Sequence, residues 1–84
     1  MKKISFKVFK EKYNPFIQEG YIQIKTVEEH FYKATYVYVQ RYIDFKPTLE
    51  EKVKNYIVRD LKKCGFIYNY STVDYCKIEI KKKQ

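Results

Sequence analysis

The chain has 84 residues and sets 18 Lys and Arg against 10 Asp and Glu, a formal charge of +8, and a stretch of this length is expected to form one domain with one core. Aromatics make up 19% of it, ten Tyr and six Phe, too many rings for a disordered basic tail. No apolar run approaches the ~20 residues of a membrane span, and Met1-Lys2-Lys3 leads into an alternating segment instead of a signal-peptide core, so a cytoplasmic chain without a membrane partner is expected.

The excess of lysine favours polyanionic partners, either nucleic acid or an acidic protein surface, although solubility alone accounts for part of it. A domain of this size buries only about 60% of its unfolded surface, so association of two copies would help it. Without a secretion signal, Cys64 and Cys76 are expected to be reduced thiols and not a bridge.

In chain order, Ile4, Phe6 and Val8 alternate with Ser5 and Lys7, the period-two pattern of a first strand with one buried face. Lys10 to Glu19 contains Asn14-Pro15 and reads as a loop anchored by Phe16 and Ile17. After Gly20, Ile22 and Ile24 mark a second strand. Thr26 to Phe45 supports two readings. Thr26 and Glu29 form a possible capping box with Val27, Phe31, Ala34 and Tyr38 on a helix face. Thr35-Tyr36-Val37-Tyr38-Val39 is strongly β-prone and favours a strand, entered through a turn at Glu28-Glu29-His30.

The strongest pattern is a helix over about 48–64. Thr48 and Glu51 can form a capping box, Gly65 can take the left-handed conformation that ends a helix, and Lys62 and Lys63 suit its negative end. Leu49, Val53, Tyr56, Ile57, Leu61 and Cys64 make one apolar stripe. Phe66 to Tyr70 then reads as extended, Ser71-Thr72 as a turn, Val73 to Ile80 as a last strand, and 81–84 as a basic tail. The expectation is a single α+β domain over 1–84: a small, mainly antiparallel sheet with one amphipathic helix on one face.

Strand alternation would send Ile4, Phe6, Val8, Ile22, Ile24, Val37, Val39, Cys76, Ile78 and Ile80 toward that helix. Lys7, Tyr21, Lys25, Tyr36, Tyr38, Tyr75 and Lys77, with Tyr32, would then share the opposite face. Rings interleaved with ammonium groups can stack single-stranded bases and meet phosphates, which makes those residues the candidate nucleic-acid surface. The same face could instead be covered by a second copy in a homodimer, or by the segment from Lys10 to Glu19. An alternative function is a phage- or virus-type inhibitor that occupies a host protein's acidic or nucleic-acid-binding site.

Catalysis is not expected. Cys64 lies at a helix C-terminus, where the dipole disfavours a thiolate, and His30 has no sequence-local partner. Two cysteines and one histidine without a short-spaced pair do not make a zinc site, so no metal or cofactor is expected. Asp74 and Glu79-Ile80-Lys81 resemble the acid and Glu-x-Lys pattern of metal-dependent nucleases. An odd separation on one strand, however, sends the two carboxylates to opposite faces.

Overall fold

The computed structural model describes residues 2–39 and 49–81. Within them run α1 (Phe6–Lys12), α2 (Asn14–Gln18), β1 (Ile22–Glu28), β2 (Tyr32–Val39), α3 (Glu51–Lys63), β3 (Ile67–Asn69) and β4 (Asp74–Ile80). The strands form one antiparallel sheet in the order β1-β2-β4-β3, and the helices pack on one of its faces. The α+β class, the antiparallel sheet and the longer helix on one face are as the sequence predicts.

The expected first strand is a helix. Ser5 has extended backbone and its Oγ accepts a hydrogen bond from the Val8 amide at 3.2 Å, which caps the first turn. Phe6, Phe9 and Tyr13 recur at helical spacing, and Phe9 and Tyr13 are buried in the core. Val8, which alternation would bury, is 51% exposed. Helical spacing of the larger rings therefore prevails over the short alternation of Ile4, Phe6 and Val8. The expected loop from Lys10 to Glu19 instead completes α1 and forms α2, with Pro15 in its first turn, where a missing amide costs no ladder bond. Phe16 and Ile17 do anchor this segment, packing against the core.

Glu28 pairs with Lys33 and Ile22 with Val39, so the β-prone reading of the third segment is the observed one as far as Val39. The turn spans Glu29 to Phe31, where the Glu29 amide donates to the Tyr32 carbonyl at 2.8 Å. The remainder of the segment to Phe45, and the Thr48 half of the expected capping box, lie outside the described residues.

In α3, Glu50 is the N-cap and makes no side-chain cap bond. Ile57, Leu61 and Cys64 are buried, with Leu49 and Val53 packed at the margin. Burial of Ile57 and Leu61 stabilises the fold by about 1.5–3 kcal/mol each. Tyr56, assigned to the stripe by spacing, is 44% exposed, whereas Asp60 on the same helix is 3% exposed. Gly65 ends the helix at φ +92°, and a Cβ there would lie 3.4 Å from Lys77 Cε. Six rings link the layers: Phe66, Phe6, Phe9, Tyr13, Phe16 and Tyr21 follow one another at centroid distances of 5.0, 5.8, 4.8, 6.1 and 6.4 Å.

The last strand has the opposite facing to that expected. Val37 is fully buried and pairs with Tyr75, which packs against the helix-side core, so Tyr75 and Lys77 belong to the helix side. Cys76, Ile78 and Ile80 pair with Tyr36, Ala34 and Tyr32 on the other face. The β3–β4 turn sets this phase. Asn69 Oδ1 accepts from the Ser71 amide at 3.0 Å, Thr72 Oγ1 donates to Asp74 Oδ1 at 2.7 Å, and Val73 turns the chain at φ +56°. On the helix side, Lys77 Nζ donates to the Cys64 carbonyl at 2.9 Å, satisfying an acceptor at the end of α3.

Candidate nucleic-acid interface

Of the residues expected to share one surface, Lys25 and Tyr36 lie in one row of the uncovered face, with Tyr38 two positions along β2. Tyr75 and Lys77 lie on the helix side. Tyr21 precedes β1, its ring 6.4 Å from Phe16, and Lys7 is on α1. The expected tyrosine-lysine surface is therefore divided among two sheet faces and a helix. Two causes act together: the first segment is helical, and β4 is turned over relative to the expectation.

What the chain brings together instead is a cleft between the Tyr38–Val39 end of β2 and the turn from β3 into β4. Tyr38, Tyr68, Tyr70 and Tyr75 line it with Val39, Val73 and two lysines of α3, Lys54 and Lys62, around a cavity of about 670 Å³. That volume lies within the range of ligand sites. The Tyr68 ring stands 4.6 Å from Tyr70 at 84° and 5.1 Å from Tyr75 at 63°, so three rings meet edge to face. Tyr70 is 85% exposed, which leaves ring surface open to a flat ligand. Among the described residues, the lining side chains include no carboxylate.

Lys62 also lines a neighbouring cavity of about 400 Å³ with Lys3, Ile4, Lys63, Cys64, Gly65 and Lys77. The segment carrying Lys3 is held there by the Ile4 amide, which donates to the Lys63 carbonyl at 3.3 Å. Lys63 Nζ stands 4.0 Å from Asp60, and Lys77 is bonded to the Cys64 carbonyl. The tyrosine cleft thus continues into a strip of ammonium groups at the end of α3.

Nothing local in the sequence joins Lys54, Lys62, Tyr68 and Tyr70 into one site. Lys62 suits the negative end of the helix, and Tyr68 and Tyr70 read as part of a short extended segment. Asn69 and Ser71, both turn-forming, were the available sign that these rings sit beside a hairpin.

The remaining reactive groups are muted. Burial raises the Cys64 thiol above its ordinary value, with Lys77 opposing. Burial, then the charge of Asp74, raises Cys76, and both thiols are free. His30 lies in the exposed hairpin turn, its ring 4.9 Å from Phe31. Asp74 is fully buried, and its Oδ2 has no hydrogen-bond partner among the described residues. Asp74 and Glu79 occupy one unbroken strand at an odd separation, which sets them on opposite faces. Among the described residues, no group of three or more His, Cys, Asp or Glu could hold a metal ion. No protein-family model, characterised protein or solved structure matches this chain.

Proposed function

We propose that the chain is a small basic binding module for single-stranded nucleic acid, held at the tyrosine-lysine cleft and not across the open sheet. One observation carries this reading. Four tyrosines and two lysines, with no acidic side chain among the described residues of the lining, converge on one cavity of about 670 Å³. Bases stack on rings whatever their identity, and phosphates meet ammonium groups, so such a site favours a single strand with little sequence preference. The net charge of +8 adds a long-range attraction that raises the rate of encounter. A duplex keeps its bases paired and cannot offer their faces to Tyr70. We read the protein as a binder, because the described lining of the cleft presents rings and ammonium groups while both thiols, raised by burial, lie outside it. No helix among the described residues is long and apolar enough to cross a membrane.

Fluorescence anisotropy with labelled single-stranded DNA and RNA homopolymers tests the proposal. Tyr70→Ala should weaken binding by about 5- to 100-fold, the equivalent of one lost stacked base. Tyr36→Ala, on the open face, should leave affinity within about twofold. Absence of binding at low salt, or a Tyr70→Ala variant that binds like the parent, overturns it. A protein retained from nuclease-treated host lysate by a chain that binds no oligonucleotide would point instead to the inhibitor reading.

A further inference from the structure

The sheet face opposite the helices carries apolar side chains out of proportion to any solvated surface. Ile67 is 74% exposed, Ile78 62% and Ile80 80%, with Tyr32 and Phe31 at the same end as Ile80 exposed by 39% and 66%. Among the described residues, the charged members of this face are Lys25, on edge strand β1, and Asp74, which is fully buried. Lys33 and Lys77 point to the helix side, so little positive charge stands on the face itself to repel another copy.

From this geometry we infer that the open face is the contact of a two-fold homodimer, in which the sheets of two copies pack face to face with the symmetry axis parallel to the strands. The occupant is a second copy because the face is complementary to itself. β2 and β4 are the two central strands, so an axis along the strands lays each β2 over the partner's β4. Ala34 and Ile78 are register partners. Ala34 is 1% exposed, already covered by its neighbours, and Ile78 stands out from the same row. Rotation about that axis lays each Ile78 over the row position of the other copy's Ala34, against the side chains that cover it. The same rotation puts Tyr36 over Cys76 and Tyr32 over Ile80, each pair made twice. It also lays β1 over β3, which places Lys25 against Ile67 at the rim, where its ammonium group reaches water.

The area suits such a contact. Strands of seven, eight, seven and three residues, spaced ~4.8 Å apart with ~3.3 Å per residue, project about 400 Å². Two faces thus project about 800 Å², and the relief of the exposed Ile67, Ile78 and Ile80 side chains carries the accessible area toward the ~1,200 Å² at the low end of stable interfaces. Exposed apolar patches of this size mark an interaction site, and burying this one removes an aggregation hazard.

Sedimentation equilibrium of the full chain, without nucleic acid, tests the inference. The parent should sediment as a dimer at micromolar concentration. Ile78→Lys should shift it to a monomer, weakening association by at least about 100-fold. Ile80→Lys, at the strand end and the more exposed position, should do the same if Ile78→Lys folds poorly. Val8→Lys, on α1 away from the face, should remain a dimer. A parent that is monomeric at about 100 µM overturns the inference, as does a dimer that survives a folded Ile78→Lys or Ile80→Lys variant.

Discussion

The Tyr13 hydroxyl donates a 2.5 Å hydrogen bond to Oδ2 of Asp60, joining the end of α1 to the C-terminal part of α3. The same carboxylate oxygen accepts from Lys12 Nζ at 2.8 Å, and the Tyr13 hydroxyl also reaches the Tyr56 carbonyl at 3.3 Å. A carboxylate that is 3% exposed is retained because these donors replace its water.

Asp60→Ala should destabilise the fold by about 2–3 kcal/mol and Tyr13→Phe by about 1–2 kcal/mol. The first value sits at the low end for a broken buried pair for two reasons: Lys12 is 56% exposed and can be hydrated, and Tyr13 keeps the Tyr56 carbonyl. Urea denaturation of both single variants and the double variant checks this, with the double costing less than the sum of the singles.

The same pair sets two pH limits. Burial alone would raise the Asp60 carboxyl, but hydrogen bonds from Lys12 and Tyr13 outweigh it and hold the group below its ordinary value. Its contribution is therefore complete above about pH 4 and is lost as pH falls further. Burial, and then the bond to Asp60, raises the Tyr13 phenol well above its ordinary value. That contribution is complete below about pH 10 and is lost as pH rises beyond it. Thermal unfolding followed from about pH 2 to about pH 11 should show both declines, with the acid limb shallower in Asp60→Asn.

Val73 holds φ +56° with a β-branched side chain that is 69% exposed. The left-handed conformation costs such a residue about 1–2 kcal/mol, of which glycine's greater loss of freedom returns part. Val73→Gly should raise stability by about 0.5–1 kcal/mol and Tm by about 4 °C, measured by calorimetry.

How far this fold can be read from its residues depends on whether a segment carries one periodicity or two. Ile22 and Ile24 carry only the strand pattern, and Ile57, Leu61 and Cys64 only the helical one, and both segments have the expected structure; Thr26 to Val39 carries both patterns, and its β-prone run decides the outcome. Ile4, Phe6, Val8 and Phe9 carry both. The outcome there rests on Ser5 as a cap and on Tyr13 and Asp60 meeting across 47 residues, which no local window contains. The site failed for a related reason. In β4, the apolar alternate set Cys76, Ile78 and Ile80 resembles a core face, yet Tyr75 and Lys77 turn inward because the Val73 turn fixes the phase. Tyr75 and Lys77 are thereby separated from Lys25, Tyr36 and Tyr38, whereas Lys7 is separated by the helical first segment and Tyr21 lies ahead of β1. Lys54 and Lys62 join tyrosines from another hairpin only through tertiary packing.

Cys76 lies in the row between Tyr36 and Ile67 on the open face, whereas Cys64 is 5% exposed beneath the helices. Alkylation of Cys76 should slow as protein concentration passes the dimer dissociation constant, because thiol access is lost with the face. Cys64 should react slowly at every concentration. Mass spectrometry of peptides after timed iodoacetamide treatment reads both rates.

The claim that phosphates are met by the lysines of the tyrosine cleft is tested most directly by the salt dependence of single-strand affinity. The slope of log K against log salt should be negative for the parent, and Lys54→Ala with Lys62→Ala should make it shallower by about 1.4, about 0.7 for each lost phosphate contact. A slope unchanged by the two substitutions, or affinity independent of salt, would contradict the account.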